Sequence, residues 1–440
     1  MSDAGLVRRL GLVQGIALNM SNIVGVGPFI TIPLIIASMG GPQCMLGWAL
    51  GAVLAISDGL VWSELAAAMP ETGGTYVYLK RAFSGTALGG VLPFLFIWQF
   101  VLSGPLEIAS GYIGFAQYAG FFWPSMGPWG TRLLTTVLGL LVIALLYRQI
   151  GAIGRLMVVL WSGMLVTVLF VIVSGLTHFN ASIAFDFPPN AFTFSTGFFA
   201  GLGSAMLIAM YDFMGYYDVC YVAGEVREPA RVIPRAILWS VIAVAVLYTL
   251  MNLSIIAVVP WRTAMKSTFI VTDFIQSLYG RPAAAVVTVL VLWTALASVL
   301  ALLLGYSRIA WAAATHGDFF QVFARLHPRG QFPHVAVLVF GGIAIVCSFF
   351  SLGSVISALL TSRILIQFIG QIAALHVVRR HATAPLPFRM WLYPLPSIIA
   401  LAGWSYIFAT SGWMFVALGL ATAVVGLGAY AAWSKVRVAQ

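Results

Sequence analysis

Hydrophobic and polar positions along the chain follow one repeating length scale. Apolar runs of about 20 residues, enough for a helix to cross roughly 30 Å of hydrocarbon, are separated by short polar segments. We count twelve runs, approximately Val13–Met39, Met45–Met69, Leu88–Phe122, Trp129–Tyr147, Ile153–Leu176, Phe194–Ala223, Ile233–Val259, Ala283–Ala314, Val335–Phe350, Val355–Val378, Leu392–Ala409 and Trp413–Trp433. A membrane barrel would need short strands of alternating polarity. The pattern therefore predicts an all-α membrane protein with twelve transmembrane helices.

Composition supports this interpretation. Hydrophobic residues make up 61% of the 440 residues and charged residues 8%, whereas soluble globular proteins carry about 25% charged residues. A water-soluble fold is therefore excluded. The net charge of +10 could indicate a nucleic-acid partner, but Lys and Arg stand in short clusters between apolar runs. Such clusters are typical of membrane topology, so we predict a lipid bilayer around the protein and no nucleic acid.

The positive charges also predict an orientation. If the N-terminus is cytoplasmic, the residues that fall inside are Arg8, Arg9, Lys80, Arg81, Arg148, Arg155, Arg227, Arg231, Arg235, Arg308, Arg325, Arg329, Arg379, Arg380, Arg389, Lys435 and Arg437. Those that fall outside are Arg132, Arg262, Lys266 and Arg281. This asymmetry places both termini in the cytoplasm and, with the short loops, predicts a multi-pass protein of the plasma (inner) membrane.

Two of the predicted spans carry helix-breaking or polar residues at mid-membrane. In span 1, Asn19, Ser21 and Asn22 precede Gly25-Val26-Gly27-Pro28. Consecutive helix breakers free backbone groups that lipid cannot satisfy, so this break should line a protein cavity, although a kinked, closely packed helix is the alternative. Span 6 holds two carboxylates, three tyrosines and a glycine within Tyr211–Asp218. Carboxylates at that depth are costly unless they face a polar interior.

The spacing of the two interruptions predicts the architecture. Spans 1 and 6 open two successive groups of five spans, and an odd number of crossings per group makes the groups inverted. We therefore predict inverted repeats at residues 13–176 and 194–378, two additional helices at 392–433, a cytoplasmic N-terminal segment at 1–12 and a cytoplasmic tail at 434–440. Paired broken helices at corresponding positions mark the central site of a transporter.

Several motifs resemble the amino acid/polyamine/organocation transporter family. They are Gly25-Val26-Gly27-Pro28-Phe29-Ile30, Ser63-Glu64-Leu65 followed by Met69 through Tyr78, Gly224-Glu225-Val226-Arg227-Glu228-Pro229 with Ile233-Pro234, Ser307-Arg308 through Ala314, and Gly317-Asp318-Phe319. The resemblance runs from about Gly11 to Arg389. It implies the five-plus-five inverted-repeat fold named for the bacterial leucine transporter, with two added helices.

The resemblance also bears on individual residues. The segment Leu102–Ala109 is similar to polyamine and amino acid permeases of plants and protists, which carry an acid at the position that matches Glu107. Their span-6 acid aligns with Tyr217, one residue before Asp218. Some prokaryotic members carry a coupling lysine in span 5, which is absent from Val159-Leu160-Trp161-Ser162.

Elementary chemistry assigns roles to the residues at the breaks. The free amides and the positive end of the half-helix after the first break suit a substrate carboxylate, and freed carbonyls can hold an ammonium group. Tyrosines near the second break could contact a cationic group or simply pack. The predicted substrate-binding residues are Asn22, Ile23, Gly25, Val26, Gly27, Glu107, Tyr211, Asp212, Gly215, Tyr216, Tyr217 and Asp218.

The acids have several possible roles. A membrane-embedded carboxylate can bind an amine, carry a coupling proton or pair with a buried base, for which Arg363 is the candidate. We predict coupling or gating roles for Glu107, Asp218 and Glu225, and a structural hydrogen bond for Asp58. Glu64, Glu71 and Glu225 could form an inner gate with Lys80, Arg81, Arg227 or Arg231, or could be solvated charges at helix ends.

Together these features predict a secondary transporter for amino acids, either proton-coupled or an exchanger, that works by alternating access. A polyamine permease is the alternative, and a nutrient sensor without transport is a third possibility. The chain has no phosphate-binding loop for ATP hydrolysis, no histidine spacing typical of a metal site and no nucleophile–base constellation. We therefore predict no enzyme activity and no cofactor. The oligomeric state is left open.

Overall fold

The computed structural model describes residues 8, 10–148, 153–328, 332–382 and 385–438, with side chains except at 148–162 and 436–438. Some predictions lie outside this part of the chain. They concern residues 1–7 of the N-terminal segment, Arg9, Arg329, residues 439–440 of the tail, and the side chains of Arg148, Arg155, Arg437 and the segment Val159–Ser162.

Within the described residues, all the named secondary-structure elements are helices. The α-helices are α1 Leu12–Ile23, α2 Gly27–Met39, α3 Met45–Ala68, α4 Thr75–Ala82, α5 Leu88–Ala119, α6 Pro128–Arg148, α7 Ile153–Thr177, α8 Ala181–Ala184, α9 Thr196–Phe213, α10 Pro229–Ile256, α11 Trp261–Ala264, α12 Ile270–Thr315, α13 His334–Cys347, α14 Leu352–Arg363, α15 Gly370–His381, α16 Leu395–Thr410 and α17 Trp413–Val438. Short 3₁₀ helices occur at Pro42–Cys44, Asp218–Glu225 and Gln321–Ala324, and a π-helical turn at Ile364–Ile369 joins α14 to α15.

The lengths of these helices fit a membrane protein. Within the described residues, eight helices are long and apolar enough to cross a membrane, and the bent pair α1 and α2 makes a ninth span if counted as one. Three shorter apolar helices, Gly163–Thr177, His334–Cys347 and Leu395–Thr410, lie where spans 5, 9 and 11 are predicted. The all-α prediction is therefore confirmed. The largest difference in a boundary is at α12, which starts at Ile270 rather than near Ala283, with a non-helical Gly280 between its two parts.

The predicted break in span 1 is confirmed. Helix α1 ends at Ile23, α2 begins at Gly27, and the two are bent by 55°. The carbonyl of Ile23, which the break leaves without an amide from the next helical turn, accepts hydrogen bonds from the Gly25 amide at 2.9 Å and from the Tyr248 hydroxyl at 2.8 Å. Here a neighbouring helix supplies the donor that lipid cannot.

Span 6 is interrupted next to the first break. Helix α9 ends at Phe213, and the chain turns through Gly215 before the 3₁₀ helix begins at Asp218. Gly215 has φ +104°, and a Cβ there would lie 3.1 Å from both the Cβ of Asn22 and the amide nitrogen of Ile23. Glycine is therefore needed both for its backbone conformation and for the close approach of the two breaks.

Buried polar side chains join the two interrupted spans. Asn19 donates to the carbonyl of Tyr216 at 2.7 Å and accepts from the amide of Val219 at 2.9 Å, so it satisfies backbone groups on both sides of the second break. Asp58 on α3 accepts from the Tyr216 hydroxyl and from the indole of Trp404 at 3.1 Å. The predicted structural hydrogen bonding of Asp58 is thus observed.

Several contacts gather at one end of the bundle. The amide of Leu10 donates to the carbonyl of Glu225 at 3.0 Å, and the amide of Arg227 donates to Leu10 at 2.9 Å. Lys80 and Asp318 form an ion pair at the same end. We call this end the N-terminal face because α1 starts there, and the other end the opposite face.

Candidate functional site

A small internal cavity of about 50 Å³ lies where the two interrupted spans meet. Eight of the twelve predicted substrate-binding residues line it: Asn22, Ile23, Gly25, Val26, Gly27, Glu107, Tyr211 and Asp212. Its other lining residues are Ser21, Ser110, Gly111, Met214, Ser298, Ala301 and Leu302. Sequence reasoning thus located this cavity through the breaks, because the breaks are what create it.

A second cavity of about 450 Å³ adjoins the small one and extends toward the N-terminal face. The two share the lining residues Asn22, Ala301 and Leu302. Asp218 and Glu225, two of the predicted site residues, line only the larger cavity. The site therefore has an approach from the N-terminal face.

On the opposite side of the small cavity, α2 and α12 pack closely against α5. A Cβ on Gly111 would lie 2.4 Å from Val299, and a Cβ on Gly114 would lie 2.9 Å from Ile30, so these helices approach at glycines. A cavity of about 940 Å³ on the opposite face, which includes Arg132 among its lining residues, shares none of them with the small cavity. Of these two larger cavities, the one toward the N-terminal face is therefore the one that adjoins the small cavity.

The first turn of α2 presents free backbone donors to the small cavity. Val26 and Gly27 stand at the start of the helix, where N–H groups have no acceptor within the helix. Pro28 lacks an N–H group, and the amide of Phe29 bonds to the carbonyl of Val26 at 3.0 Å. The positive end of the helix dipole adds to the attraction, so this turn can bind an anionic group.

Asp212 lies against this turn. Its Oδ2 accepts a hydrogen bond from the Thr31 hydroxyl at 2.6 Å, while its Oδ1 is buried without a hydrogen-bond partner. A Cβ on Gly27 would lie 2.4 Å from that Oδ1 atom. Tyr211, the preceding residue, points its hydroxyl to Ser110 at 2.7 Å.

Asp218 sits on the other side of the breaks, beside Asn22. The Asn22 amide donates to the Asp218 Oδ2 atom at 2.5 Å, so the two broken spans are hydrogen-bonded directly to each other. Both residues line the larger cavity. A ligand that enters from the N-terminal face would therefore meet this pair.

Glu107 forms an ion pair with the buried guanidinium of Arg363. The Arg363 Nη2 and Glu107 Oε2 atoms are 2.9 Å apart, with side-chain exposures of 1% and 12%. The Tyr306 hydroxyl donates to the same Oε2 atom at 2.6 Å, and the Arg363 Nε donates to Ser103 at 3.0 Å. Of the three roles open to this acid, pairing with a buried base is the one observed.

Two predicted aromatic contacts lie away from both cavities. Tyr216 is fully buried with its hydroxyl on Asp58. Tyr217 stacks on Trp62, with ring centroids 4.3 Å apart and an interplanar angle of 9°. Both side chains pack between α3 and the second break. Of the three predicted tyrosines, Tyr211 is therefore the one that lines the small cavity.

Charge pairs at the N-terminal face differ in part from those predicted. Glu71 pairs with Arg81, as expected. Glu64 instead forms a two-atom contact with Arg379 of α15, and it also accepts from the amide of Met390 at 2.8 Å. Helix packing brings α15 next to α3, a proximity that sequence spacing does not reveal.

Sequence reasoning missed Ser110 and Ser298 as lining residues. Both are small hydroxyl residues within long apolar helices, α5 and α12. A Cβ on Gly25 would lie 3.1 Å from the Ser298 Oγ atom, so this serine faces the first break. The only sequence signal is a small polar residue in an apolar run, which also occurs in ordinary helix packing.

Comparisons with known proteins show which family this sequence matches. The sequence profile of the amino acid permease family matches residues 10–423. The chain is 24% identical over 420 residues to the serine/threonine exchanger SteT of Bacillus subtilis, across 91% of this chain and 90% of that protein. It is 25% identical over 353 residues to b(0,+)-type amino acid transporter 1 of Mus musculus, across 79% and 71% of the two chains.

A further relative is longer than this chain. The protein is 26% identical over 355 residues to cationic amino acid transporter 4 of Mus musculus, across 77% of this chain and 54% of that protein. The aligned region therefore spans about half the length of that relative. With a family profile that covers nearly the whole sequence, the chain belongs to the amino acid permease family, a family of membrane transporters and not of enzymes.

Proposed function

We propose that this protein is a secondary transporter of amino acids that works by alternating access around the breaks in spans 1 and 6. The observation that carries this proposal is the junction of the two breaks, where free backbone amides and an unpaired carboxylate oxygen face a small cavity that adjoins a larger one toward the N-terminal face. Paired broken helices at the bundle centre are typical of secondary transporters. We propose the twelve-span, inverted-repeat arrangement on the same grounds.

The proposed binding mode follows from the polarity of the junction. The substrate carboxylate binds the amides of Val26 and Gly27 at the start of α2, and its ammonium group lies toward Asn22 and freed backbone carbonyls. In this conformation the small cavity, at about 50 Å³, has room for little more than water. Substrate therefore enters through the larger cavity and widens the wall at Ala301 and Leu302, which the two cavities share.

Energy for transport comes from an ion gradient or from exchange of one substrate for another. SteT is named an exchanger, and b(0,+)-type amino acid transporter 1 is named for amino acids in general. We propose a proton gradient or exchange for this chain, since acids line both cavities. We further propose that the N-terminal face is cytoplasmic in the plasma membrane, because Lys80, Arg81 and Arg227 lie on it.

A polyamine permease is the second candidate function. Asp212, Asp218 and Glu225 line the two adjoining cavities, and within the described residues none of the three forms an ion pair. Such an excess of carboxylates favours a ligand that carries more than one amine. The free amides of α2 favour the amino acid instead, because an amine without a carboxylate gains nothing from them.

Counterflow in proteoliposomes tests both candidates. Purified protein is reconstituted into liposomes loaded with an unlabelled amino acid or with putrescine, and accumulation of the same labelled compound is followed. We expect counterflow of at least one α-amino acid, and no counterflow of putrescine. Counterflow of putrescine alone would replace the leading proposal with the second, and binding without any counterflow would favour a sensor.

Gly27→Ala provides the site-directed arm of this experiment. Its Cβ would lie 2.4 Å from the Asp212 Oδ1 atom and 3.3 Å from Tyr211, so it fills the turn that binds the carboxylate. We expect this variant to lose counterflow. The control is Gly342→Ala, where a Cβ meets no atom within 4 Å. Equal activity of the two variants would contradict the proposed binding mode.

A further inference from the structure

Among the acids near the breaks in the described residues, Asp212 is the one with a buried carboxylate oxygen that has no hydrogen-bond partner. Its side chain is 2% exposed, and its Oδ1 atom has no hydrogen-bond partner. Glu107, the other acid that lines the small cavity, is neutralised by Arg363 at 2.9 Å. A buried acid without compensation is costly, which makes a functional role the default explanation for it.

Asp212 lies where the substrate carboxylate is proposed to bind, so the two negative charges would repel each other there. Its Oδ1 atom lies against Gly27, at the same turn of α2 whose free amides favour a substrate carboxylate. Two carboxylates that share one set of donors cannot both remain charged at contact distance. They hold one proton between them instead.

We propose that Asp212 couples proton binding to substrate binding. The substrate carboxylate takes the amides of α2 and shares a proton with the Asp212 Oδ1 atom, so the proton and the amino acid enter the site together. The proton comes from the solvent on the side of uptake and is released with the substrate on the other side, and no bond other than O–H forms or breaks. This inference rests on the proposed function. It adds the residue that shares the coupling proton and names the proton as the ion that enters with the substrate.

The surroundings of Asp212 support this assignment because most other titratable groups there have partners of their own; the buried hydroxyl of Tyr112 on α5 is an exception. On the elements packed around α9, these groups are Asp58, bound by Tyr216 and Trp404; Glu107 and Arg363, bound to each other; Tyr248, which donates to Ile23; and Tyr406, which donates to Phe199. Its neighbour Tyr211 is bound to Ser110, and Asp218 is bound by Asn22. Helix α2 contributes only the Thr31 hydroxyl.

Proton influx and substrate counterflow separate coupling from binding. Proteoliposomes carry an internal pH-sensitive dye and receive L-serine, L-threonine or L-arginine as probes. In the wild-type protein we expect each transported probe to acidify the lumen. Asp212→Asn should abolish this acidification and uphill accumulation under a pH gradient, so that any counterflow measured in this variant proceeds without proton influx.

Two further variants sharpen the result. Asp186→Asn, an exposed acid paired with Arg262 on the opposite face, is the matched control and should keep acidification. Thr31→Val removes the hydroxyl that stabilises the charged form of Asp212, so the pH of half-maximal uptake should move upward. This variant keeps the acid itself and tests the inference even if Asp212→Asn does not fold.

The outcomes distinguish this inference from the proposed function. Acidification retained in Asp212→Asn would overturn the role of Asp212. The same conclusion would follow if acidification were lost in Asp218→Asn but not in Asp212→Asn, or if the pH profile of uptake were unchanged in Thr31→Val. Wild-type counterflow without any acidification would also overturn it, while leaving amino acid transport intact. Absence of wild-type counterflow for every probe would instead refute the proposed function, and the inference with it.

Discussion

The buried pair of Glu107 and Arg363 provides a test of how this bundle is held together. Arg363 is 1% exposed, and its guanidinium lies between Glu107 on α5 and the Ser103 hydroxyl one turn earlier. Removal of either charge leaves the other buried without a counterion. We therefore expect Glu107→Gln and Arg363→Met each to destabilise the protein strongly.

The separation of the charges sets the magnitude. At 2.9 Å and an effective dielectric constant of about 20, the attraction between the two charges is about 6 kcal/mol. The desolvation of both groups offsets much of this, so the net contribution of the pair is small, yet loss of one partner costs about 3–5 kcal/mol. The double variant Glu107→Gln with Arg363→Met should then cost far less than the sum of the two single variants.

The assay is the apparent melting temperature of the purified protein in detergent, followed by tryptophan fluorescence for both single variants and the double variant. Arg262→Met is the matched control, because its ion pair with Asp186 has side-chain exposures of 58% and 45%. Exposed pairs of this kind contribute about 0–1 kcal/mol. The control should therefore melt close to the wild type.

Two results would refute this reasoning. Equal losses for Arg363→Met and Arg262→Met would mean that burial does not determine the cost. Additive losses in the double variant would mean that Glu107 and Arg363 do not depend on each other, since coupled residues deviate from additivity by about 0.5–3 kcal/mol.

The remaining predictions concern the second break and the orientation. Gly215→Ala should lower the apparent melting temperature because φ is +104° there, which strains a side chain by about 1–3 kcal/mol, whereas Gly428→Ala meets no atom within 4 Å and should have no such effect. Equal melting of the two would contradict the close approach of the breaks. The chain's three cysteines are buried, so Arg231→Cys can be labelled selectively; a membrane-impermeant thiol reagent should reach it only from the cytoplasm, and Arg132→Cys only from outside. The reverse pattern would overturn the proposed orientation.

Local properties of the chain account for the parts of the fold that could be predicted. Long apolar runs form helices in either lipid or a protein interior, because a helix satisfies its own backbone groups. The break in span 1 could be predicted for a similar reason, since Gly25 and Pro28 disfavour a continuous helix in any surroundings. The sequence identifies Gly215 only as a glycine near the second break. Its positive φ and its contact with Asn22 are properties of the folded chain.

Pairing between charges could not be predicted in the same way. Glu64 bonds to Arg379, 315 positions along the chain, and Glu107 meets Arg363 through the packing of α5 on α14. Which side chains meet depends on the rotation of each helix about its axis, and a strongly apolar helix carries little polarity pattern to fix that rotation.

The sequence alone therefore determined the class of the protein, its helices, the two interruptions and the set of acids near them, because hydrophobic length and helix-breaking residues act locally. Only the tertiary structure decided how those acids differ. It assigns a buried cation to Glu107 and an amide to Asp218, and it leaves the Oδ1 atom of Asp212 unpartnered at the start of α2. The physical reason is that the environment of a buried charge is built from groups hundreds of residues apart, and it is this environment that separates an ion-paired acid from one that can take up a proton.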